Sequence, residues 1–298
     1  MASPPLPAFA VIAASLLACA HAPLPRLAAQ TPERVPFVAG TGSAVVVPVL
    51  VNGRGPYPFM VDTGASHTSI DADLARHLGA PRVAKTLVST TAGDDWAAVV
   101  KLRQVALGPL DAHEVLATEV PPGRLDGVSR VLGLIGRDLL GTRAFTIDYV
   151  LRQLEWPPAP AQDRAAALPL DTRGRIWLVP VRSGSRTLRL VPDSGAEVTL
   201  LFDRGHALNV AYRGGTIGVQ SVTGSRPARR GIVPRLEFGG LRLVEHEVVV
   251  VNGADVDPDH GDGVLPLHLF DRVTFRPEEA SIQLSQVVAP SAGAARVQ

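Results

Sequence analysis

The stretch Asp62-Thr63-Gly64-Ala65 returns 131 positions later (193 − 62) as Asp193-Ser194-Gly195-Ala196. A single Asp-Thr/Ser-Gly tripeptide carries little information, because average residue frequencies produce one by chance in about one chain in ten of this length. Two of them in matching surroundings carry much more information, because self-similarity at a fixed spacing indicates a duplicated unit. The rest of the sequence can be aligned outward from this pair.

Segments on both sides of the two tripeptides repeat as well. Val47-Pro48-Val49 precedes the first as Val179-Pro180-Val181 precedes the second. Downstream, the alignment matches residues 105–110 with 236–241, 113–115 with 246–248, 133–136 with 263–266, and 145–147 with 273–275. We therefore predict two copies of one lobe, at residues 35–157 and 167–286, joined by a Pro/Ala-rich linker at residues 158–166.

Composition narrows the class of protein. The chain has 298 residues, 46% of them hydrophobic, which is enough to give each of two domains a core. Its formal charge of +1 and its 5% aromatic content do not suit a nucleic-acid-binding protein.

Between residues 35 and 286 the apolar segments are short, rich in Val, Leu, Ile and Thr, and punctuated by Gly and Pro, a pattern typical of an all-β barrel or sandwich. The predicted strands are 44–51, 59–62, 97–107, 115–120, 177–182 and 247–251, and the predicted helices are 71–79 and 137–141.

The N-terminus predicts export. An apolar run from Leu6 to Ala20 ends in small residues and is short for a membrane span, so residues 1–22 resemble a signal peptide. Two processing routes compete, because residues 16–19 resemble a lipoprotein box and residues 20–22 suit ordinary signal peptidase. Cys19 is the only cysteine, which favours lipidation there and excludes a disulfide in the mature chain. We expect a tether at 23–34, a flexible tail at 287–298, and a location in the periplasm or cell envelope.

The two aspartates suggest a particular chemistry. Hydrolysis of a peptide bond without a metal or a covalent nucleophile needs one carboxylate to take a proton from water and a second carboxyl group to give one to the carbonyl oxygen. Two aspartates held side by side can share one proton, because both cannot ionise together. Thr63 and Ser194 offer hydroxyls that can bond across to the partner loop, and Gly64 and Gly195 permit tight turns with open backbone N–H groups.

Over residues 35–286 the chain resembles the bacterial retropepsin-like aspartic peptidases, in a single-chain, two-lobed form as in the pepsin family. The resemblance implies two acid-protease-like β-barrel lobes with a cleft between them, and an aspartic endopeptidase that acts as a monomer on peptide or protein substrates without cofactor or metal. The catalytic residues would be Asp62 and Asp193, supported by Thr63, Gly64, Ser194 and Gly195.

The resemblance also implies a hairpin flap over the cleft and an apolar segment behind the first aspartate. Residues 89–96 fit the flap, with Gly93 near its tip, and Leu134-Ile135-Gly136 fits the apolar segment. Trp96 then either covers substrate or packs at the base of the flap. Alanine at positions 65 and 196 removes a hydroxyl donor to the ionised carboxylate, so we expect an activity optimum at weakly acidic to neutral pH.

Two departures in the second half favour an alternative. Pro192 precedes Asp193 where the first half has Val61, and Pro266 replaces Gly136, so strand or turn donors are lost. The alternative is a catalytically inactive module that binds extended peptides in the cleft by strand addition.

Other clusters carry weaker signals. Residues 255–263 resemble a calcium loop only superficially, because His260 stands where its glycine should be. His67 and His77 lack the spacing of a zinc site. Arg226, Arg229 and Arg230 are expected on the hairpin of the second lobe, either as solvated charges or facing acidic substrate residues.

Overall fold

The computed structural model describes residues 33–39, 43–90, 93–125, 131–158, 165–205, 208–221 and 224–286. The predicted signal peptide with Cys19, most of the predicted tether and linker, and the predicted tail lie outside these residues. None of the helices in the described part of the chain has the length and hydropathy needed to cross a membrane.

The chain is almost entirely built of strands. Its first half contains β1 (Glu33–Pro36), β2 (Val38–Ala39), β3 (Val45–Val51), β4 (Arg54–Val61), β5 (Ser69–Asp71), α1 (Ala72–His77), β6 (Arg82–Thr90), β7 (Gly93–Leu107), β8 (Leu110–Val120), β9 (Gly133–Ile135), α2 (Arg137–Leu140), β10 (Phe145–Asp148) and β11 (Gln153–Trp156). Its second half contains β12 (Ala165–Pro169), β13 (Val179–Ser183), β14 (Arg186–Asp193), β15 (Thr199–Asp203), β16 (Ala211–Ser221), β17 (Gly224–Phe238), β18 (Leu241–Asn252), β19 (Gly263–Pro266), β20 (Arg272–Arg276) and β21 (Ser281–Ser285). Short 3-10 helices span Pro258–His260, Leu267–Leu269 and Pro277–Glu279.

Each half forms one lobe with the same strand order. The sheet of the first lobe runs β2-β3-β4-β9-β5-β8-β7-β6, with β3 also pairing with β7. The sheet of the second lobe runs β13-β14-β19-β15-β18-β17-β16, with β13 also pairing with β17. These extra pairings curl the sheets, as the all-β, two-lobed prediction requires.

A third sheet of six strands takes three strands from each half, in the order β1-β11-β10-β20-β21-β12. At its centre β10 pairs antiparallel with β20, with Thr146 directly opposite Thr274. Their buried hydroxyls hydrogen-bond at 2.8 Å. Residues that the duplication makes equivalent thus meet each other, so the two halves are related by a local two-fold axis through this pair.

Apolar and charged contacts both fix this sheet. The rings of Phe145 and Phe275 stack at 4.9 Å, and Trp177 stacks on Phe275 at 5.0 Å. Arg272 of β20 lies 3.2 Å from the Asp148 carboxylate and also contacts Glu155, so one guanidinium neutralises two buried carboxylates across the boundary between the halves.

Local sequence explains the elements that position the site. In β3, every second residue is a valine of the main core, while Val46 on the other face is buried in a smaller apolar cluster. Helix α1 begins where the carboxylate of Asp71 accepts hydrogen bonds from the N–H groups of Asp73 and Leu74, and Gly79 follows its end with a φ of 65°.

The structure corrects one part of the aligned repeat. Gly108 and Gly239 have φ values of 53° and 51°, and six residues later Glu114 and Glu245 have φ values of 57° and 49°. These pairs keep the spacing of the two aspartates, so the alignment of His113 with His246 was wrong by two residues. His246 takes the place of Val115, a buried residue of the first lobe.

Candidate active site

The two Asp-containing loops begin at equivalent ends of parallel strand pairs. In the first lobe β4 pairs with β9, and the N–H of Asp62 donates to the carbonyl of Ile135 at 3.0 Å. In the second lobe β14 pairs with β19, which places Asp193 beside Pro266. The apolar segment 134–136 therefore lies directly behind the first aspartate, as the sequence predicts.

The residues that follow the aspartates lock the two loops together. Thr63 Oγ1 donates to the Pro192 carbonyl at 2.7 Å and accepts from the Ser194 N–H at 3.0 Å. Ser194 Oγ donates to the Val61 carbonyl at 2.7 Å and accepts from the Thr63 N–H at 3.1 Å. Both side chains are buried, so each of these hydrogen bonds satisfies a group that water cannot reach. We call this set of four hydrogen bonds the interlock.

Proline at position 192 fits this arrangement. The interlock uses only the carbonyl of Pro192, which proline retains. Pairing between β13 and β14 ends at Val179 and Leu190, so Pro192 lies beyond the last pair on that side and needs no ladder donor there. The proline that favoured an inactive second lobe is therefore compatible with the same loop geometry.

The two carboxyl groups face each other across the interlock. Oδ1 of Asp62 accepts hydrogen bonds from the N–H groups of Gly64 and Ala65, both at 3.0 Å. Oδ1 of Asp193 accepts from the N–H of Gly195 at 2.7 Å. A Cβ atom on Gly64 would lie only 2.7 Å from Cγ of Asp193, so glycine is required there by the close approach of the second carboxyl group.

These surroundings raise the pKa of both carboxyl groups and distribute one proton between them. Burial raises the pKa of Asp193 well above its usual value, and the charge of Asp62 raises it further. Burial also raises the pKa of Asp62, but the N–H groups of Ala65 and Gly64 and a hydrogen bond from Asp193 oppose this. These pKa shifts are those of a pair that shares one proton, in which Asp193 is protonated and Asp62 is ionised.

The loop of the first lobe has a second layer of support. Thr68 donates to the carboxylate of Asp138 through its N–H at 3.0 Å and through its hydroxyl at 2.9 Å. The N–H of Gly136 donates to the Thr68 hydroxyl at 3.3 Å, and the N–H of Arg137 donates to the Ala65 carbonyl at 2.9 Å. A Cβ on residue 136 would lie 2.4 Å from the backbone of His67, so glycine permits this packing.

The loop of the second lobe is supported by histidines instead. Thr199, the equivalent of Thr68, has its hydroxyl 2.8 Å from Nε2 of His246. His268 stands where the first lobe has Asp138, and the nearby backbone of Ala196 raises the pKa of its ring, although burial lowers that pKa by more. Neither histidine was predicted as a site residue. The alignment of 133–136 with 263–266 already implied that His268 lies opposite Asp138, whereas the two-residue error in aligning His113 hid the position of His246.

The predicted flap is a hairpin of β6 and β7, and Gly93 pairs with Thr90 next to its tip. Trp96 lies opposite Leu87, and the two side chains are 69% and 45% exposed. They share the outer face of the hairpin, since Thr86 and Val88 on the other face are half-buried. Whether Trp96 covers a bound substrate stays a prediction.

The basic residues of the second hairpin have separate roles. Arg226 forms a bidentate ion pair with Asp255, at 2.9 and 2.7 Å, and also donates to the Asn252 carbonyl. Arg229 stacks over the ring of Tyr212 at 3.9 Å. Within the described residues, no group of three or more His, Cys, Asp or Glu side chains is arranged to hold a metal ion.

Known proteins resemble this chain in sequence and in fold. The aspartyl protease family model matches residues 47–139 and 179–267, one segment in each lobe. A crystal structure of an aspartic proteinase from Irpex lacteus is 13% identical, covers 87% of this chain and 98% of its own, and has a TM-score of 0.51. A retropepsin-like aspartic protease from Rickettsia conorii is 23% identical over 42% of this chain and 91% of its own, with a TM-score of 0.32. No curated protein matches the chain.

Proposed function

The chain belongs to the aspartyl protease family, which matches both of its lobes, and on that basis we propose that it is an aspartic endopeptidase whose catalytic residues are Asp62 and Asp193. The observation that carries the proposal is the interlock. It holds carboxyl groups from the two lobes so close together that only glycine fits at position 64, beside the carboxyl group of Asp193. A binding module without activity would have no use for two adjacent carboxyl groups whose burial raises the pKa of both.

The proposed reaction uses the two groups in complementary roles. Asp62, whose charge is stabilised by two N–H groups, takes a proton from a water molecule as that water attacks the peptide carbonyl carbon. Asp193 gives its proton to the carbonyl oxygen, so that a neutral tetrahedral intermediate forms. The proton then held by Asp62 passes to the amide nitrogen as the C–N bond breaks, and Asp193 regains its proton when the carbonyl re-forms.

The pH dependence follows from the direction of the shifts. Because the pKa of Asp193 is raised, the singly protonated pair persists above the usual titration range of aspartate. Asp62 must lose its proton at lower pH for the pair to act, so activity rises through that step and falls when Asp193 ionises. We propose an optimum at weakly acidic to neutral pH. An optimum below about 4, the reference pKa of aspartate, would contradict it.

We further propose that the substrates are peptides or proteins of the cell envelope. Support comes from the family, whose name implies peptide substrates, and from the apolar N-terminal run from Leu6 to Ala20, which contains Cys19. Fractionation of cells producing the full chain and its Cys19→Ala variant, with radiolabelled palmitate, tests this. Label lost in the variant supports lipidation, and a cytoplasmic wild-type protein contradicts the envelope assignment.

The test of activity is cleavage of a diverse peptide mixture by residues 23–298 between pH 4 and 8, followed by mass spectrometry. The control is the double variant Asp62→Asn, Asp193→Asn, in which each amide is isosteric with the acid it replaces. We expect internal cuts in peptides treated with the wild-type protein and none with the control. Intact peptides with a folded wild-type protein would contradict the endopeptidase proposal and favour peptide binding, which retention of peptides by the immobilised protein would then measure.

A further inference from the structure

The second catalytic loop is supported by a pair of histidines where the first loop is supported by a carboxylate. In the first lobe Asp138 accepts two hydrogen bonds from Thr68. In the second lobe His268 replaces Asp138, and Thr199 hydrogen-bonds to Nε2 of His246. The shared geometry of the two loops is thus maintained by groups of different chemistry.

The backbone contacts differ in the same way. In the first lobe the Ala65 carbonyl accepts from the N–H of Arg137. In the second lobe the ring of His268 lies near the backbone of Ala196, and this neighbour favours the protonated ring. An imidazole therefore stands beside the second loop where the first loop has a backbone donor.

The surroundings of His268 disfavour a second proton on the ring. Its Nδ1 is shielded from solvent and has no hydrogen-bond partner among the described residues. A second proton would bury a charged N–H without an acceptor, which is costly. His246 lies close enough for the two rings to repel each other when both are charged.

We propose that His246 and His268 are positioning residues for the second catalytic loop, and that the loop keeps its catalytic geometry only while both imidazoles are neutral. Protonation of the pair loosens residues 194–199, so Asp193 loses its alignment with Asp62. Acid then inactivates the enzyme reversibly through the second lobe, while the hydrogen bonds of Thr68 to Asp138 behind the first loop are unaffected. The catalytic consequence rests on the proposed function, but the coupling between the histidines and the loop does not.

The charged groups around the two histidines do not reverse the effect of burial on their pKa values. Glu247 follows His246 on β18 and raises its pKa, but burial outweighs it and lowers the pKa of both rings. On β17 the residue opposite His246 is the apolar Val233, and the nearby Arg235 is paired with Glu237. Glu197, in the loop itself, is exposed.

The first readout is hydrogen exchange, which requires no activity. Protection factors of the amides at 194–199 and 65–68 are measured between pH 7.5 and 5.0 in the wild-type protein and in the double variant His246→Gln, His268→Gln. Glutamine retains a hydrogen-bonding amide but does not titrate. We expect protection at 194–199 to fall by about tenfold on acidification in the wild type only. Residues 65–68 are the internal control, and Thr63 is left out of it because its N–H donates to Ser194.

The second readout is the pH profile of kcat/KM, with His77→Gln, an exposed residue of the first lobe, as the matched variant. We expect the acid limb of the double glutamine variant to move down by about one pH unit, through kcat and not KM, while His77→Gln follows the wild type. Equal protection at 194–199 at both pH values in the wild type would overturn the proposal even if the variant does not fold. A wild type that cuts no peptide but shows the exchange difference would refute the proposed function and leave the coupling standing.

Discussion

The catalytic loops of the two lobes are alike where they touch each other and different where they touch their own lobe. Thr63 and Ser194 donate and accept the same hydrogen bonds across the boundary. Behind them, Asp138 supports one loop and His268 stands in the corresponding place behind the other. The comparison indicates that the hydrogen bonds between the two loops tolerate little change. Behind the loops, side chains of different chemistry can provide the support within each lobe.

The largest expected effect comes from the carboxyl groups themselves. Asp62→Asn and Asp193→Asn should each reduce kcat by about 10³-fold, because each removes one half of the proton transfer. Equal losses mean that both lobes contribute to one site. Peptide cleavage rates of the two variants give the comparison, and a fully active Asp193→Asn variant would show that the second lobe has no catalytic role.

The next effect is expected at the interlock. Thr63→Val and Ser194→Ala each leave a buried carbonyl and a buried N–H unpaired, so each should lower the free energy of unfolding by about 2–5 kcal/mol. Urea unfolding of the two variants measures this. Similar losses of stability would support a symmetric interlock. A negligible loss for Ser194→Ala alone would show that the two sides of the interlock do not contribute equally.

A smaller effect on stability should distinguish the segments that support the two loops. Gly136→Ala places a Cβ against the backbone of His67 and should cost about 1–3 kcal/mol of stability. Pro266→Ala, at the equivalent position, should change stability by less than about 1 kcal/mol. Thermal unfolding of both variants separates these expectations. An unchanged stability of the Gly136→Ala variant would mean that the first loop does not depend on the close approach of residue 136 to His67.

The smallest effect is expected at the hairpins. Trp96→Ala should raise KM about threefold if the exposed ring packs on substrate, since partial burial of an indole is worth no more than a few kcal/mol. Its stability should not change, because the side chain is 69% exposed. Tyr212→Ala, on the hairpin of the second lobe, is the matched control. An unchanged KM would show that Trp96 does not contact substrate.

The sequence predicted the parts of the site that depend on local rules. The loops at Asp62 and Asp193, the segment 134–136 behind the first of them, and a helix beginning after Asp71 all follow from turn, periodicity and capping residues. The strand predicted at 247–251 was right in position but shorter than β18, and β17 was not predicted, because Arg and Glu on an exposed strand face conceal the pattern.

The sequence could not show contacts made by tertiary pairing. The six-stranded sheet brings β1, β12 and the central threonine pair together from distant segments, and no local pattern marks its order. Pro192 suggested a damaged loop, because the rule against proline in strands does not say which backbone group a particular position needs. Only the interlock reveals that the carbonyl suffices.

The most direct test of the account is a pH titration of the carboxyl carbons of Asp62 and Asp193 by NMR, with the single Asn variants used for assignment. The account predicts one step well above 4, felt by both signals, and loss of that step from Asp62 in Asp193→Asn. Two independent titrations near the reference value of about 3.9, unchanged in the variant, would contradict a shared proton and with it the proposed active site.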